Sequence, residues 1–91
     1  MGEFRDNGSA HRFELDAPEG MSFADYLDVA GVRAIMHVET PTAAQGLGYA
    51  SKLMGEIVVH ARAKGMRLRA SCSFAAAYFK RHADTADVQV E

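Results

Sequence analysis

Apolar and polar residues alternate along the first 39 positions of the chain, a pattern typical of β-strands with one buried face. The clearest run is residues 11–15. Phe13 and Leu15 fall on one side of it, and Arg12 and Glu14 fall on the other. The alternation predicts a strand whose second side faces water.

Turn-forming pairs separate these runs and predict an antiparallel meander. Asn7-Gly8 is a strong hairpin signal because both residues tolerate a positive φ. A second gap of hairpin length, Ala30-Gly31, follows later in the chain. The strands joined by these turns are predicted at residues 3–5, 11–15, 23–29 and 32–39.

The last of these strands carries polar residues on one predicted face. Strict alternation groups Val32, Ala34, Met36 and Val38 on one side and Arg33, Ile35, His37 and Glu39 on the other. We therefore expect His37 and Glu39 to lie together, with Arg33 further back on the same face.

The apolar spacing changes at Gly46 from two residues to three or four. This spacing predicts an amphipathic helix of about four to five turns that ends at Gly65. Gly55 lies inside the helix, where glycine costs about 1 kcal/mol relative to alanine, and it suggests a close packing contact. The apolar positions are Leu47, Ala50, Leu53, Met54, Ile57, Val58 and Ala61.

The remaining residues predict one more strand and one more helix. Residues 66–70 form the strand, and residues 73–82 form the helix, with Ser73 as its N-cap. Val88 and Val90 are the expected last contacts of a polar tail. The element order predicts an α/β (α+β) fold, in which a mixed, mostly antiparallel sheet has one strand-helix-strand crossover and a C-terminal helix.

Composition agrees with a small globular protein. The chain has 91 residues, of which 48% are hydrophobic and 24% charged, and this length suits a single domain spanning 1–91. The net charge of -2 gives no basic excess, so neither nucleic acid nor a membrane surface is an expected partner. We expect a monomer or a weak homodimer.

Cys72 is the single cysteine, which excludes an internal disulfide and fits a reducing compartment. The sequence shows neither the layout of a secretory signal nor an apolar run of membrane-spanning length, so a cytoplasmic location is expected. The histidines and Cys72 are scattered, and no metal site is expected.

The segment with the clearest chemical signal joins the fourth strand to the long helix. A short loop ends in Gly46 and Gly48, and the helix follows. The first turn of a helix has unpaired amides and the positive end of the dipole, and glycines let a bulky anion approach them. A phosphate site and a plain strand-to-helix turn both fit this pattern. The absence of Gly-Lys-Ser/Thr excludes a Walker loop, and Ser51 stands where a dinucleotide fingerprint needs its third glycine.

The spacing of several motifs resembles the GNAT superfamily of acetyl-CoA-dependent N-acetyltransferases, in particular its short single-domain branch. The resemblance extends from Phe13 to His82. The motifs that carry it are His37-Val38-Glu39-Thr40-Pro41, Ala43-Ala44-Gln45-Gly46-Leu47-Gly48, Gly65-Met66 to Cys72, and Tyr78-Phe79-Lys80-Arg81-His82.

This resemblance implies a binding site for acetyl-CoA. The pantetheine arm would pair like a strand with the backbone of Val38 and Thr40, and loop amides would hold the pyrophosphate. The loop positions that the resemblance implies are Ala44, Gln45, Gly46, Leu47, Gly48, Tyr49 and Ala50. Ala43 and Ala44 depart from the family pattern of Arg or Gln followed by Gly, so a cationic contact is missing.

Four side chains are candidates for catalysis, and each has a plainer alternative. Glu39 or His37 can act as the general base or can belong to a solvated strand face. Cys72 can accept the acetyl group itself or can be a small buried apolar residue. Tyr78 stands where many relatives keep a tyrosine that protonates the leaving sulfur, and it can equally be a core aromatic.

The resemblance implies transfer of an acetyl group to an amine, directly or through Cys72. The acceptor is either a small molecule or a protein lysine, and the sequence does not rank the two. Only residues 16–22 are available where larger relatives insert helices, so the acceptor side is expected to be open. The alternatives are a module that binds CoA without significant catalysis and an interaction domain that has lost the cofactor.

Overall fold

The computed structural model describes residues 3–90 and contains the strands and helices in the predicted order. Residues 1, 2 and 91 of the expected 1–91 domain lie outside the described residues. The elements are β1 (Phe4–Asn7), β2 (Arg12–Ala17), β3 (Gly20–Val29), β4 (Val32–Glu39), α1 (Tyr49–Lys64), β5 (Arg67–Ala70) and α2 (Ser73–Arg81).

The strands form one sheet in the order β1-β2-β3-β4-β5. The first four are antiparallel neighbours, and β5 joins β4 in parallel after the α1 crossover. The tail adds to the far edge of β5, where Gln89 bridges Leu68 in parallel. The predicted α/β fold with a mixed, mostly antiparallel sheet is confirmed.

The two expected hairpins differ in their turns. Ala30 and Gly31 have φ angles of 53° and 82°, as a two-residue hairpin turn requires. The tight turn expected at Asn7-Gly8 is wrong, because a 3₁₀ turn covers Gly8–Ala10 and His11 takes the left-handed conformation at φ 55°. The Asn7 side chain accepts a hydrogen bond from the Ala10 amide at 3.3 Å, which stabilises the longer turn.

A bulge in β4 breaks the alternation that the sequence suggested. Asp25 pairs with His37, whereas the next residue of β3, Tyr26, pairs with Ile35, so Met36 is an extra residue. Ile35 and Val38 therefore share one face of the sheet, contrary to the predicted grouping.

The same bulge separates Arg33 from His37 and Glu39, which were expected to share a face. Arg33 instead lies on the face of Tyr26, with its guanidinium carbon 3.7 Å from the centre of that ring. It pairs there with Asp6 at 2.8 Å and Asp28 at 2.7 Å.

Both helices pack against one face of the sheet and form the core with it. The sheet contributes Phe13, Leu15, Ala24, Tyr26, Ile35 and Leu68, and the helices contribute Leu53, Met54, Ile57, Val58, Ala61, Ala75, Tyr78 and Phe79. Val88 of the tail joins this core, as expected. We call the opposite surface, which carries Arg12, Phe23, His37 and Glu39, the open face.

Glu14 lies on the open face but is only 2% exposed, so the predicted wet side of β2 is wrong at this position. Its carboxylate accepts hydrogen bonds from Arg5 at 2.6 Å, Arg12 at 2.6 Å and Asn7 at 3.0 Å. Burial raises the pKa of Glu14, but these hydrogen bonds outweigh burial and hold the pKa below its ordinary value. Alternation cannot predict a polar residue covered by its polar neighbours.

The helix ends partly follow the prediction. Gly65 ends α1 with φ 67° and donates to the carbonyls of Ala61 and Arg62. Cys72, and not the predicted Ser73, is the N-cap of α2, since its Sγ accepts a hydrogen bond from the Ala75 amide at 3.4 Å. Within residues 3–90, neither α1 nor α2 has the length and apolar character needed to cross a bilayer.

Candidate functional site

The candidate site begins where β4 is no longer paired with β5. The β4–β5 ladder ends at Ile35 and Ala70, and the Ser71 amide adds one bond to the Ile35 carbonyl at 2.9 Å. β4 continues to Glu39, paired with β3 alone. A stretch of strand edge is thus left open beside the beginning of α2.

The loop from β4 to α1 uses two glycines in the left-handed conformation. After a 3₁₀ turn at Thr42–Ala44, Gly46 has φ 86° and Gly48 has φ 84°. A Cβ atom at either glycine would meet no other atom within 4 Å. Backbone conformation, and not crowding within the free protein, is therefore the reason that glycine is needed here.

The loop uses part of its hydrogen-bonding capacity internally. The amides of Ala44, Gln45 and Leu47 donate to Pro41, Thr42 and Ala44. The Ala44 and Gln45 amides, which were expected to meet a phosphate, are thus used within the loop in this structure. Amides that donate to no atom of residues 3–90 belong to Gly46, Gly48, Tyr49, Ala50 and Ser51.

These free amides border an open cavity of about 380 Å³. Most of the residues predicted to bind the cofactor line it, and all of the lining side chains are uncharged. The lining residues are Thr40, Ala44, Gln45, Gly46, Gly48, Tyr49, Ala50, Ser51 and Phe74. Of the other two predicted residues, Val38 packs partly against the core and Leu47 is 58% exposed.

His37 and Glu39 lie together on the open face, at the end of β4. Their side chains are hydrogen-bonded, with 2.9 Å between Nε2 of His37 and Oε1 of Glu39, and both are more than half exposed. The His37 ring lies 6.4 Å from the ring of Phe23. The guanidinium carbon of Arg12 lies 4.8 Å from the centre of the same Phe23 ring. Because both side chains of the His37–Glu39 pair are exposed, they can exchange protons with a group that approaches from the solvent.

Cys72 lies in the short segment between β5 and α2. It is partly buried, packs against the core and caps α2 through its sulfur. The structure thus assigns a local structural role to the thiol, in addition to the chemical role that the sequence suggested.

Tyr78 is buried within the core. Its hydroxyl lies 3.4 Å from the position of a Cβ built on Gly55, so the two helices meet at that glycine, at an ordinary contact distance. Its ring stacks on His82 with 3.9 Å between the centroids, and burial raises the pKa of the phenol. The phenol therefore stays protonated at neutral pH.

The sequence did not single out Ser51, Phe74 or Glu19 for this site. Phe74 reaches the cavity from the first turn of α2, and Ser51 lines it from α1. Glu19, in the β2–β3 turn, raises the pKa of the Tyr49 phenol. Ser51 lies three residues after Gly48 and Phe74 lies two residues after Cys72, so proximity to those motifs was the available signal; Glu19 had none.

Comparison with known proteins agrees with this geometry. A family model described as GCN5-related N-acetyl-transferase matches residues 12–88. No curated protein matches the sequence. The fold is similar to the solution NMR structure of a GCN5-like candidate N-acetyltransferase from Staphylococcus aureus, with 26% sequence identity and a TM-score of 0.68. The similarity covers 97% of this chain and 87% of that one.

The family match covers most of the chain and includes β4, the glycine loop and α2. The similar structure covers nearly all of it. The chain belongs to the GCN5-related N-acetyltransferase family.

Proposed function

We propose that this protein is an acetyl-CoA-dependent N-acetyltransferase that transfers the acetyl group to an amine. The observation that carries the proposal is the continuity between the unpaired edge of β4 and the cavity at the beginning of α1. Thr40, directly after the strand, lines that cavity. An extended ligand that pairs with the edge would deliver its anionic end to the helix.

The loop offers a phosphate site built from the backbone. The α1 dipole and the free amides both favour an anion, and α1 has no acidic residue in its first turn. The free amides are those of Gly46, Gly48, Tyr49, Ala50 and Ser51. No charged side chain lines the cavity. Affinity therefore depends on the amides, without the cationic contact that Ala43 would supply if it were arginine.

The bulge at Met36 supports the proposed pairing of pantetheine with Val38 and Thr40. In a regular strand, every second residue directs its backbone groups to the same edge. Ile35 directs its carbonyl toward β5, where Ser71 binds it. Without the bulge, residues 37 and 39 would be the next to direct their backbone groups to this edge. Because Met36 is an extra residue, Val38 and Thr40 do so instead. The Thr40 carbonyl already accepts a hydrogen bond from the Gln45 side chain on this side, at 3.4 Å.

Acetyl-CoA supplies an activated thioester, and the opening beyond Ile35 and Ala70 is the proposed place for it. His37 and Glu39 would remove the proton from the acceptor amine on the open face. Tyr78 is the proposed proton donor to the leaving thiolate, since its phenol stays protonated. These roles describe direct attack by the amine.

Cys72 provides a second route within the same proposal. Its sulfur would form a bond to the acetyl carbon as the CoA sulfur leaves and takes a proton. The acceptor amine would then attack the acetyl group on Cys72, lose its own proton to His37 or Glu39 and displace the sulfur as a thiolate, which takes up a proton to restore the thiol. The two routes differ only in whether the acetyl group rests on the protein.

The acceptor site is wide. β2 and β3 are joined by the turn at Pro18 and Glu19, and no inserted helix covers the open face. A small amine and an exposed protein lysine both fit such a surface.

Calorimetry with acetyl-CoA and with CoA is the first test. Binding by both is expected, and no binding at millimolar ligand would overturn the proposal. Incubation with radiolabelled acetyl-CoA and mixed amines then tests transfer. If the protein binds the cofactor but no amine becomes labelled, a CoA-binding module is favoured. The uncharged cavity lining and the open acceptor side are the observations that favour this alternative.

A further inference from the structure

The open face is apolar at the end that carries the β3–β4 turn. Tyr26 contributes to the core, so its neighbour Leu27 and, two residues further, Val29 lie on the open face. Their cross-strand partners Ala34 and Val32 share that face. We call Leu27, Val29, Val32 and Ala34 the apolar patch.

The apolar patch is exposed to solvent. Both helices pack against the other face of the sheet, so neither covers it. Leu27 is 50% exposed and Val29 is 51% exposed, whereas Ala34 between the strands is buried by the side chains around it. Neighbouring apolar side chains that remain exposed in this way are typical of a contact surface.

The apolar patch adjoins the side chains proposed to move the proton. Asp25 pairs across the strands with His37, and it lies two residues before Leu27 on the same face, a separation of about 7 Å. Asp25 makes no ion pair within residues 3–90, and Glu39 pairs with His37. Two carboxylates thus stand beside the apolar patch without a lysine or arginine partner.

We propose that the acceptor is a lysine of a polypeptide that docks on the open face, with an apolar side chain two to four residues from the lysine on the apolar patch. This inference rests on the proposed function, since it names the acceptor of the same site. The positive lysine complements Asp25 and Glu39. An extended chain advances about 3.3–3.6 Å per residue, so two to four residues span roughly the distances from Asp25 to Leu27 and to Val29.

The proposal selects between the two acceptor classes that the wide site admits. A small amine can meet the carboxylates, but it has no group that covers Leu27 and Val29. A polypeptide can bury both and gain affinity from the apolar area removed from water. An apolar side chain near the lysine should therefore raise kcat/KM by about threefold to tenfold, mainly through KM.

The experiment measures transfer from radiolabelled acetyl-CoA to three acceptors. They are Nα-acetyl-lysine amide, a capped nine-residue peptide with a central lysine and a leucine three residues to either side, and the same peptide with serine at both leucine positions. We expect the leucine peptide to have the highest kcat/KM with the wild-type protein.

Leu27→Thr and Val59→Thr are the matched variants. Both replace an exposed aliphatic side chain by threonine, but Val59 lies on α1 and is 61% exposed there. Leu27→Thr should remove the preference for the leucine peptide over the serine peptide, whereas Val59→Thr should keep it. The preference is a ratio within one protein, so a partial loss of folded protein does not alter it.

The outcomes separate this inference from the proposed function. If the wild type acetylates both peptides equally or labels the small amine alone, docking on the apolar patch is refuted and acetyl transfer stands. A preference that Leu27→Thr retains refutes it as well. A dimer of the wild type that Leu27→Thr dissociates in sedimentation velocity would assign the patch to a second copy of the chain instead. If no amine is labelled at all, the proposed function fails together with the inference.

Discussion

The Sγ atom of Cys72 accepts a hydrogen bond from the amide of Ala75 at 3.4 Å, so the cysteine proposed to accept the acetyl group also caps a helix. Loss of activity in a Cys72 variant can therefore come from chemistry or from the cap. A pair of substitutions separates these roles.

Cys72→Ser and Cys72→Ala should differ in stability. Serine retains a cap acceptor, whereas alanine removes it at a cost of about 0.5–2 kcal/mol in the free energy of unfolding. Urea denaturation measures this difference. Equal stabilities would show that the thiol cap contributes nothing.

The same pair tests the covalent route when transfer is assayed. If the acetyl group rests on Cys72, both variants should lose turnover and neither should retain label after denaturation. If the amine attacks directly, Cys72→Ser should keep wild-type turnover. Transfer by Cys72→Ser at the wild-type rate would eliminate the covalent route.

Gly48→Trp should abolish CoA binding because the indole would occupy the cavity beside the free amides. Gly31→Trp is the matched control, since Gly31 has nearly the same φ, 82° against 84°, and lies in the β3–β4 turn. Both substitutions should cost about 1–2 kcal/mol of stability through the left-handed conformation. Calorimetry should show lost binding only for Gly48→Trp, and unaltered binding there would mean that the pyrophosphate lies elsewhere.

Glu14→Gln should lower stability at neutral pH by about 1–3 kcal/mol, because a buried amide cannot replace a carboxylate that accepts from two guanidinium groups and an amide. The folded pKa of Glu14 lies below its ordinary value of 4.5, so the carboxylate stabilises the fold above that value. Its contribution is lost as the pH falls through the folded pKa. The gap between wild type and variant, measured by urea denaturation from pH 7 downward, should close below about pH 4.5.

If the difference in stability between wild type and Glu14→Gln did not change with pH, the shape of Glu14 and not its charge would be important. Asp16→Asn is a suitable control, because Asp16 also pairs with Arg5 but is 47% exposed in its side chain. We expect a much smaller loss of stability in that variant.

Gly55→Ala should stabilise the protein by up to about 1 kcal/mol through helix propensity. The new Cβ would lie 3.4 Å from the Tyr78 hydroxyl, an ordinary contact distance that requires little rearrangement. Gly55→Leu should instead destabilise, since larger atoms would collide with Tyr78. Thermal unfolding of both variants tests this, and a lower melting temperature for Gly55→Ala would mean that the two helices cannot tolerate even a methyl group.

The sequence predicted the fold well because most elements depend on local periodicity. Phe13 and Leu15 mark the buried face of β2, and Gly65 ends α1 where the apolar spacing ends. The bulge at Met36 was missed, since one extra residue leaves no mark on a strand already rich in apolar side chains. Its consequence, the transfer of Arg33 to the helix-covered face, could not be predicted without the register of β3.

The site was predictable where backbone conformation requires a residue type and unpredictable where partners come from distant segments. Gly46 and Gly48 are needed for their positive φ angles, and the sequence revealed them. The use of the Ala44 and Gln45 amides within a 3₁₀ turn depends on hydrogen bonds that no pattern encodes. The Ser22 hydroxyl bonds to the Thr40 hydroxyl across 18 positions of the sequence, so only the folded structure shows this contact.

The sequential strand order has a consequence for folding during synthesis on the ribosome. Each strand from β1 to β4 pairs with its neighbour in sequence, so the meander can assemble as soon as Glu39 has emerged. β5 follows only after all of α1. Until then the whole β4 edge is available to other chains. The nascent protein therefore passes through a stage in which the edge proposed to bind its ligand is exposed to aggregation.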